Sequence, residues 1–252
     1  MNIELLTIFA QSLGYYSYGN SGAVGYNFTY LILFAGVAIL SFIVQQNLQS
    51  KFKKFSKMYL SNGMTGSEIA QKMLHDNGIY DVRVISTPGY LTDHYDPTKK
   101  TVNLSGGVYN SSSIAAAAVA AHECGHAVQH AKAYAPLKLR SAIVPAVSFA
   151  SNYMSWILLI GILTVESFPG ILLAGIALFA MTTFFSFVTL PVEIDASRRA
   201  LAWLSSAGIT NISNQGAANS ALRSAAYTYV VAALSSLATL IYYIMIYLGR
   251  RE

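Results

Sequence analysis

Pro169-Gly-Ile-Leu-Leu-Ala-Gly-Ile-Ala-Leu-Phe-Ala-Met-Thr-Thr-Phe-Phe-Ser-Phe-Val-Thr-Leu190 carries no charge, and its only polar side chains are hydroxyls. It exceeds the roughly 20 apolar residues that a helix needs to cross about 30 Å of hydrocarbon. Three more uncharged runs surround it: Phe28 to Val44, Ala142 to Val165 and Val230 to Leu248. Pro145 and Asn152 lie in the second of these, where neighbouring helices can satisfy the freed polar groups. The whole chain agrees, with 252 residues of which 54% are apolar and 11% charged, against about a quarter charged in an average soluble domain. Four membrane spans are expected.

These spans divide the chain. Residues 1–45 form an N-terminal segment and first span, 46–140 a polar insert, 141–190 a membrane hairpin, 191–228 a second polar segment, and 229–252 the last span with its tail. The N-terminus lacks the basic start of a cleaved signal. The formal charge of +5 is concentrated in Lys51-Phe-Lys-Lys-Phe-Ser-Lys57, directly after the first span. Such a cluster suits anionic lipid at a cytoplasmic surface rather than nucleic acid. By the positive-inside rule the insert and the 191–228 segment are cytoplasmic, since no lysine or arginine precedes Lys51. Arg250 and Arg251 then fall outside, against the rule, and the larger cluster decides. The single cysteine, Cys124, allows no intramolecular disulfide.

Within the insert, Thr65-Gly-Ser-Glu68 has the form of a capping box opening a helix through His75, which Asn77-Gly78 ends. Asp81 to Ser86 alternates and is rich in β-branched residues, and Tyr95-Asp-Pro97 suggests a turn into a strand over Thr101 to Leu104. A hairpin or small sheet follows, whose strand before the next helix could hold an extended peptide by edge pairing. That next helix is Ser113-Ile-Ala-Ala-Ala-Ala-Val-Ala-Ala-His122-Glu-Cys-Gly-His126-Ala-Val-Gln-His130, capped by serine, dominated by alanine and stopped before Pro136.

His122-Glu123-Cys124-Gly125-His126 matches H-E-x-x-H inside this helix. Residues four apart share a helical face, so both imidazoles can meet one tetrahedral zinc. Glu123 sits about 100° round the helix, placed as a catalytic base rather than a ligand. A catalytic zinc needs a third protein ligand. A histidine ten residues after His122, as in metzincins, is absent, because that position is Lys132 and Gln129 replaces the expected glycine. Of the later carboxylates, Glu166 lies in the turn of the membrane hairpin on the opposite face, while Glu193 and Asp195 follow the span that returns to the motif's side. Residues two apart on a helix differ by about 200°, so only one of Glu193 and Asp195 can face the metal. Topology alone leaves that choice open.

Leu91-Thr-Asp-His-Tyr-Asp-Pro97, Leu104-Ser105, Ala120-Ala-His-Glu-Cys-Gly-His-Ala-Val-Gln129 and Pro191-Val-Glu-Ile-Asp-Ala-Ser-Arg-Arg-Ala-Leu201 resemble the bacterial neutral zinc metallopeptidases of the YugP type. That family is similar to membrane-bound gluzincins, including the CAAX prenyl proteases. The resemblance implies His122, His126 and Glu193 as zinc ligands. It departs at Ser197, where gluzincins commonly place an aspartate four residues after the ligand glutamate.

The remaining candidates carry weaker expectations. His130 suits a substrate-lining or solvated position, Cys124 a packed thiol, and His94 a solvated loop or the cleft wall. Arg198 and Arg199 suit pairing with Asp195 or the membrane boundary. The expected fold is an α-rich integral membrane protein with about four transmembrane helices and a small α+β, zincin-like catalytic unit. The expected activity is zinc-dependent hydrolysis of membrane-proximal polypeptides at the cell membrane. A zinc hydrolase of a lipid or other non-peptide amide and a non-catalytic scaffold are the competing readings. Glu123 argues against a scaffold, because a structural zinc has no need of a carboxylate on its open side.

Overall fold

The computed structural model describes residues 21–249, with side chains from residue 31 onward. The polar N-terminal stretch before Ser21 and the terminal Arg250 and Arg251 lie outside the described residues. Four long helices meet the length and hydropathy of membrane spans: α1 (Ser21–Phe55), α5 (Ala135–Leu163), α6 (Pro169–Ser206) and α7 (Gln215–Gly249). Between α1 and α5 lie α2 (Gly66–Asp76), β1 (Arg83–Thr87), β2 (His94–Asp96), β3 (Thr101–Ser105), the single-turn α3 (Gly106–Tyr109) and α4 (Ile114–Ala131).

The helices run further than the apolar runs do. α6 continues through Pro191 to Ser206, and α7 begins at Gln215, well before Val230. Most of the 191–228 segment is therefore helical continuation of two spans rather than a separate linker. Loss of apolar character marks where a helix leaves hydrocarbon, not where its hydrogen bonds stop. Pro191 removes one donor from the ladder without ending it. α5 likewise starts seven residues before Ala142, with Pro136 in its first turn, where a missing N–H costs nothing.

The chain forms two compact units. Among the described residues, one comprises 41–145 and 184–233, the other 21–40, 146–183 and 234–249.

In the first unit the capping box forms as expected: the Thr65 hydroxyl accepts from Glu68 N, and Glu68 Oε2 accepts from Thr65 N at 2.8 Å. α2 buries Ile69, Ala70, Met73 and Leu74 against the alanine face of α4 and the sheet residues Val102 and Leu104. The strand order is β1-β3-β2, with β1 parallel and β2 antiparallel to β3. Asp96 closes the β2–β3 turn by accepting from the backbone N–H groups of Thr98 and Lys99. The expectation of a pairing edge on the strand before the motif helix fails here. That strand is β3, whose two sides are both occupied; the edges belong to β1 and β2. β3 is central because all five of its residues are buried.

The second unit packs Leu158, Val165, Leu172, Ile176 and Tyr243 together. A Cβ at Gly161 would lie 2.6 Å from Leu172 Cα, so the turn-joined α5 and α6 approach at glycine contact there. Phe149, Trp156 and Leu163 of α5 are largely exposed, as side chains facing lipid would be.

Candidate metal centre

α4 delivers the first two groups. Ser113 caps it by accepting from Ala116 N at 3.2 Å. Its run of alanines is buried almost throughout, and small side chains let neighbouring elements come close on every side. His122 and His126 lie one turn apart with ring centroids 4.8 Å apart.

The third group comes from α6. Glu193 Oε2 lies 3.2 Å from His122 Nε2 and 3.6 Å from His126 Nε2. Three ligands held at about 2.0–2.1 Å on tetrahedral directions stand roughly 3.3 Å from one another. Both spacings to Glu193 lie close to that value, and two imidazoles with one carboxylate are a donor set that suits zinc. Gly125 permits the approach: a Cβ there would lie 2.6 Å from the Ala196 carbonyl oxygen. The motif helix and α6 therefore touch backbone to backbone one turn from Glu193.

The far nitrogen of each ring is held. The Gln129 Nε2 amide donates to the Val192 carbonyl at 2.7 Å and to Asp195 Oδ2 at 2.9 Å, both of which can only accept. The Gln129 oxygen is thus the atom 3.0 Å from His126 Nδ1, and the ring must donate to it. That tautomer leaves a lone pair on His126 Nε2, the nitrogen nearest Glu193. Ser197 Oγ lies 3.1 Å from His122 Nδ1. The position at which the sequence departs from gluzincins therefore still contacts the first histidine, by a hydroxyl in place of a carboxylate.

Asp195 takes no part in the convergence. It accepts from Gln129 and, at 2.6 Å, from Arg199 Nε. Arg140 Nη1 lies 3.4 Å from Glu193 Oε1, engaging the carboxylate oxygen turned away from the histidines. Burial disfavours the charged form of His126, but the hydrogen bond with Glu193 and the charges of Glu123 and Glu193 outweigh it and hold the ring above its usual pKa. The same field favours any cation placed at this point.

A cavity of about 740 Å³ opens over the three groups, and Glu123, nearly buried, lines it. Tyr95 and His94 of β2 form part of its wall, and Tyr95 Oη lies 2.9 Å from His130 Nδ1. His130 thus lines the cavity instead of joining the metal set. Cys124 is fully buried with Sγ 3.4 Å from the Ala70 carbonyl, and desolvation pushes its thiol well above its usual pKa. Arg198 lies apart from the convergence, on another groove.

Gln129, Arg140 and Tyr229, which also lines the cavity, were not singled out from the sequence. Gln129 could have been, because it stands three residues beyond His126 on one face. The other two come from distant helices and leave no local signal.

The family described as "Putative neutral zinc metallopeptidase" matches residues 30–248. The chain is 44% identical over 224 residues, 88% of its length, to the "Putative membrane protease YugP" of Bacillus subtilis (strain 168), of which it covers 99%. No solved structure matches.

Proposed function

The chain belongs to that neutral zinc metallopeptidase family, and from this premise we propose that it hydrolyses peptide bonds at a zinc held by His122, His126 and Glu193, with Glu123 as general base. The observation that carries the reading is the meeting of His122, His126 and Glu193, whose ligand atoms all lie within 4.8 Å of one another.

Zinc bound there supplies Lewis acidity and brings the pKa of a water towards 7. Glu123 would take a proton from the water that attacks the scissile carbonyl carbon and return it to the leaving amine nitrogen. Gln129 and Ser197 keep the two rings aimed, and Arg140 holds the outer oxygen of Glu193, leaving the other free to hold a metal. α2, the sheet and α4 act as a zincin-like unit. The free edge of β2, beside the cavity, pairs with an extended polypeptide through main-chain hydrogen bonds. The substrate is a polypeptide near the membrane, reached from the cytoplasmic side.

Purified protein should degrade denatured casein, lose the activity to a chelator and regain it with zinc. Glu123→Gln should keep about one zinc per chain by elemental analysis yet be inactive, whereas His122→Ala, His126→Ala and Glu193→Ala should lose both metal and activity. An active Glu123→Gln variant, or an empty one, would overturn the assigned role.

A further inference from the structure

A second groove lies between α6 and α7, sharing no lining residue with the metal cavity, with a volume of about 530 Å³. Ile194, Arg198 and Leu201 line it from α6, at successive spacings of four and three. Leu222, Arg223 and Ala226 line it from α7. Each wall is therefore one helical face on which an arginine sits among apolar side chains, with Ser197 and Ser205 on α6 and Gln215 and Asn219 on α7 adding uncharged polar groups.

Among the described residues neither arginine is ion-paired, although Arg198 lies near enough to Asp195 to help lower that carboxyl's pKa. No carboxylate lines the groove. Asp195, the nearest acidic neighbour in sequence, is taken by Arg199 at 2.6 Å. Arg223 is held in place, with its guanidinium 5.5 Å from the Tyr227 ring centroid and its Nε donating to Tyr227 Oη at 2.9 Å. That contact uses Nε and leaves both terminal nitrogens as donors.

Both helices continue from the groove into uncharged sequence, α6 back through 190–169 and α7 onward through 230–248. The groove thus occurs where each helix passes from polar to apolar residues, the level at which a lipid phosphate meets its acyl chains. Basic pockets between spanning helices at such a level select anionic headgroups.

We propose that this groove holds one anionic phospholipid, its phosphate between Arg198 and Arg223 and an acyl chain along Ile194 and Ala226. The site goes beyond the peptidase reading and does not depend on it.

Delipidated full-length protein in neutral detergent, examined by native mass spectrometry, should retain one phosphatidylglycerol and far less phosphatidylcholine. Arg198→Gln combined with Arg223→Gln should weaken phosphatidylglycerol binding about thirty-fold, at about five-fold for each cation near an anionic headgroup. Ala226→Trp, which fills the groove but keeps both arginines, should reduce binding comparably. Lys53→Gln with Lys54→Gln should leave it unchanged, and unaltered circular dichroism would show that each variant is folded. Equal retention of phosphatidylcholine, or undiminished binding in the double arginine variant, overturns the proposal. So does displacement of the lipid by inorganic phosphate or by a hexaglutamate peptide at matched concentration.

Discussion

Gln129 donates to Asp195 at 2.9 Å, which sets the aspartate one side chain away from His126 rather than at the point where His122, His126 and Glu193 meet. Two acidic residues separated by a single position on α6 therefore have different tasks. Glu193 faces the histidines directly, while Asp195, itself fixed by Arg199, holds the amide that holds the ring.

Loss of such a supporting partner typically lowers metal affinity about 10- to 100-fold. Asp195→Ala and Gln129→Ala should fall in that range in zinc competition titrations, whereas Glu193→Ala should lose the metal or nearly so. A stronger effect at Asp195 than at Glu193 would move the ligand to the aspartate. Ser197→Ala should also weaken zinc, and Ser197→Asp should keep it, since with a metal on Nε2 the His122 Nδ1–H donates and a carboxylate at 197 can accept it.

Gly125 is the hinge between sequence motif and tertiary site. A methyl group there meets the Ala196 backbone at 2.6 Å, and backbone cannot rotate aside. Gly125→Ala should destabilise the protein by about 1–3 kcal/mol, the usual range for added volume in a packed interior. It should also reduce zinc affinity, because the helix carrying both histidines is pushed from the helix carrying Glu193. Thermal denaturation and zinc titration would test both parts; unchanged zinc affinity would mean that the two helices separate elsewhere.

Sequence and structure diverge in an informative way along these helices. The uncharged stretch from Pro169 to Leu190 announces a span because hydropathy measures contact with lipid. It says nothing of the turns carrying Glu193, Asp195 and Ser197, which are polar yet helical to Ser206. The H-E-x-x-H histidines were legible because one helix sets their spacing. The support for His126 was not, because Gln129 acquires its orientation from a carbonyl 63 positions away. Arg140 is in the same case, its partner lying 53 positions away. The free edge went to β2 rather than β3 because strand order depends on which strand is buried on both sides, and short strands carry little sign of that.

The capping box at the start of α2 gives a pH-dependent prediction. Hydrogen bonds from Thr65 N and Thr65 Oγ1 lower the pKa of Glu68. A carboxylate lowered in the folded state adds stability above its unfolded pKa and loses it as pH falls through the folded value. Thr65→Ala should cost about 1 kcal/mol near neutral pH, as loss of a cap typically does. The gap from wild type should narrow below about pH 4, the ordinary glutamate range. Thermal melts of both proteins from pH 7 to 3 would show it, and a constant gap would mean that the hydroxyl cap acts without Glu68.

Orientation in the membrane can be tested cleanly because Cys124, the one native thiol, is fully buried. A reporter cysteine elsewhere would then label alone. Lys53 and Lys54 close the last turn of α1, where cations also suit the helix dipole, so dipole and positive-inside preference act at the same place. With four spans, the lysine cluster inside requires the turn between α5 and α6 to be outside. Ser56 follows the first span and Ser167 lies in that turn; both are exposed. In intact cells, a membrane-impermeant maleimide should label Ser167→Cys at once and Ser56→Cys only after permeabilisation. The reverse order would place the metal site outside the cell, and labelling of both in intact cells would mean that an even number of crossings separates the two serines. Since a single span, α5, separates the two positions, only opposite labelling is compatible with α5 crossing the bilayer.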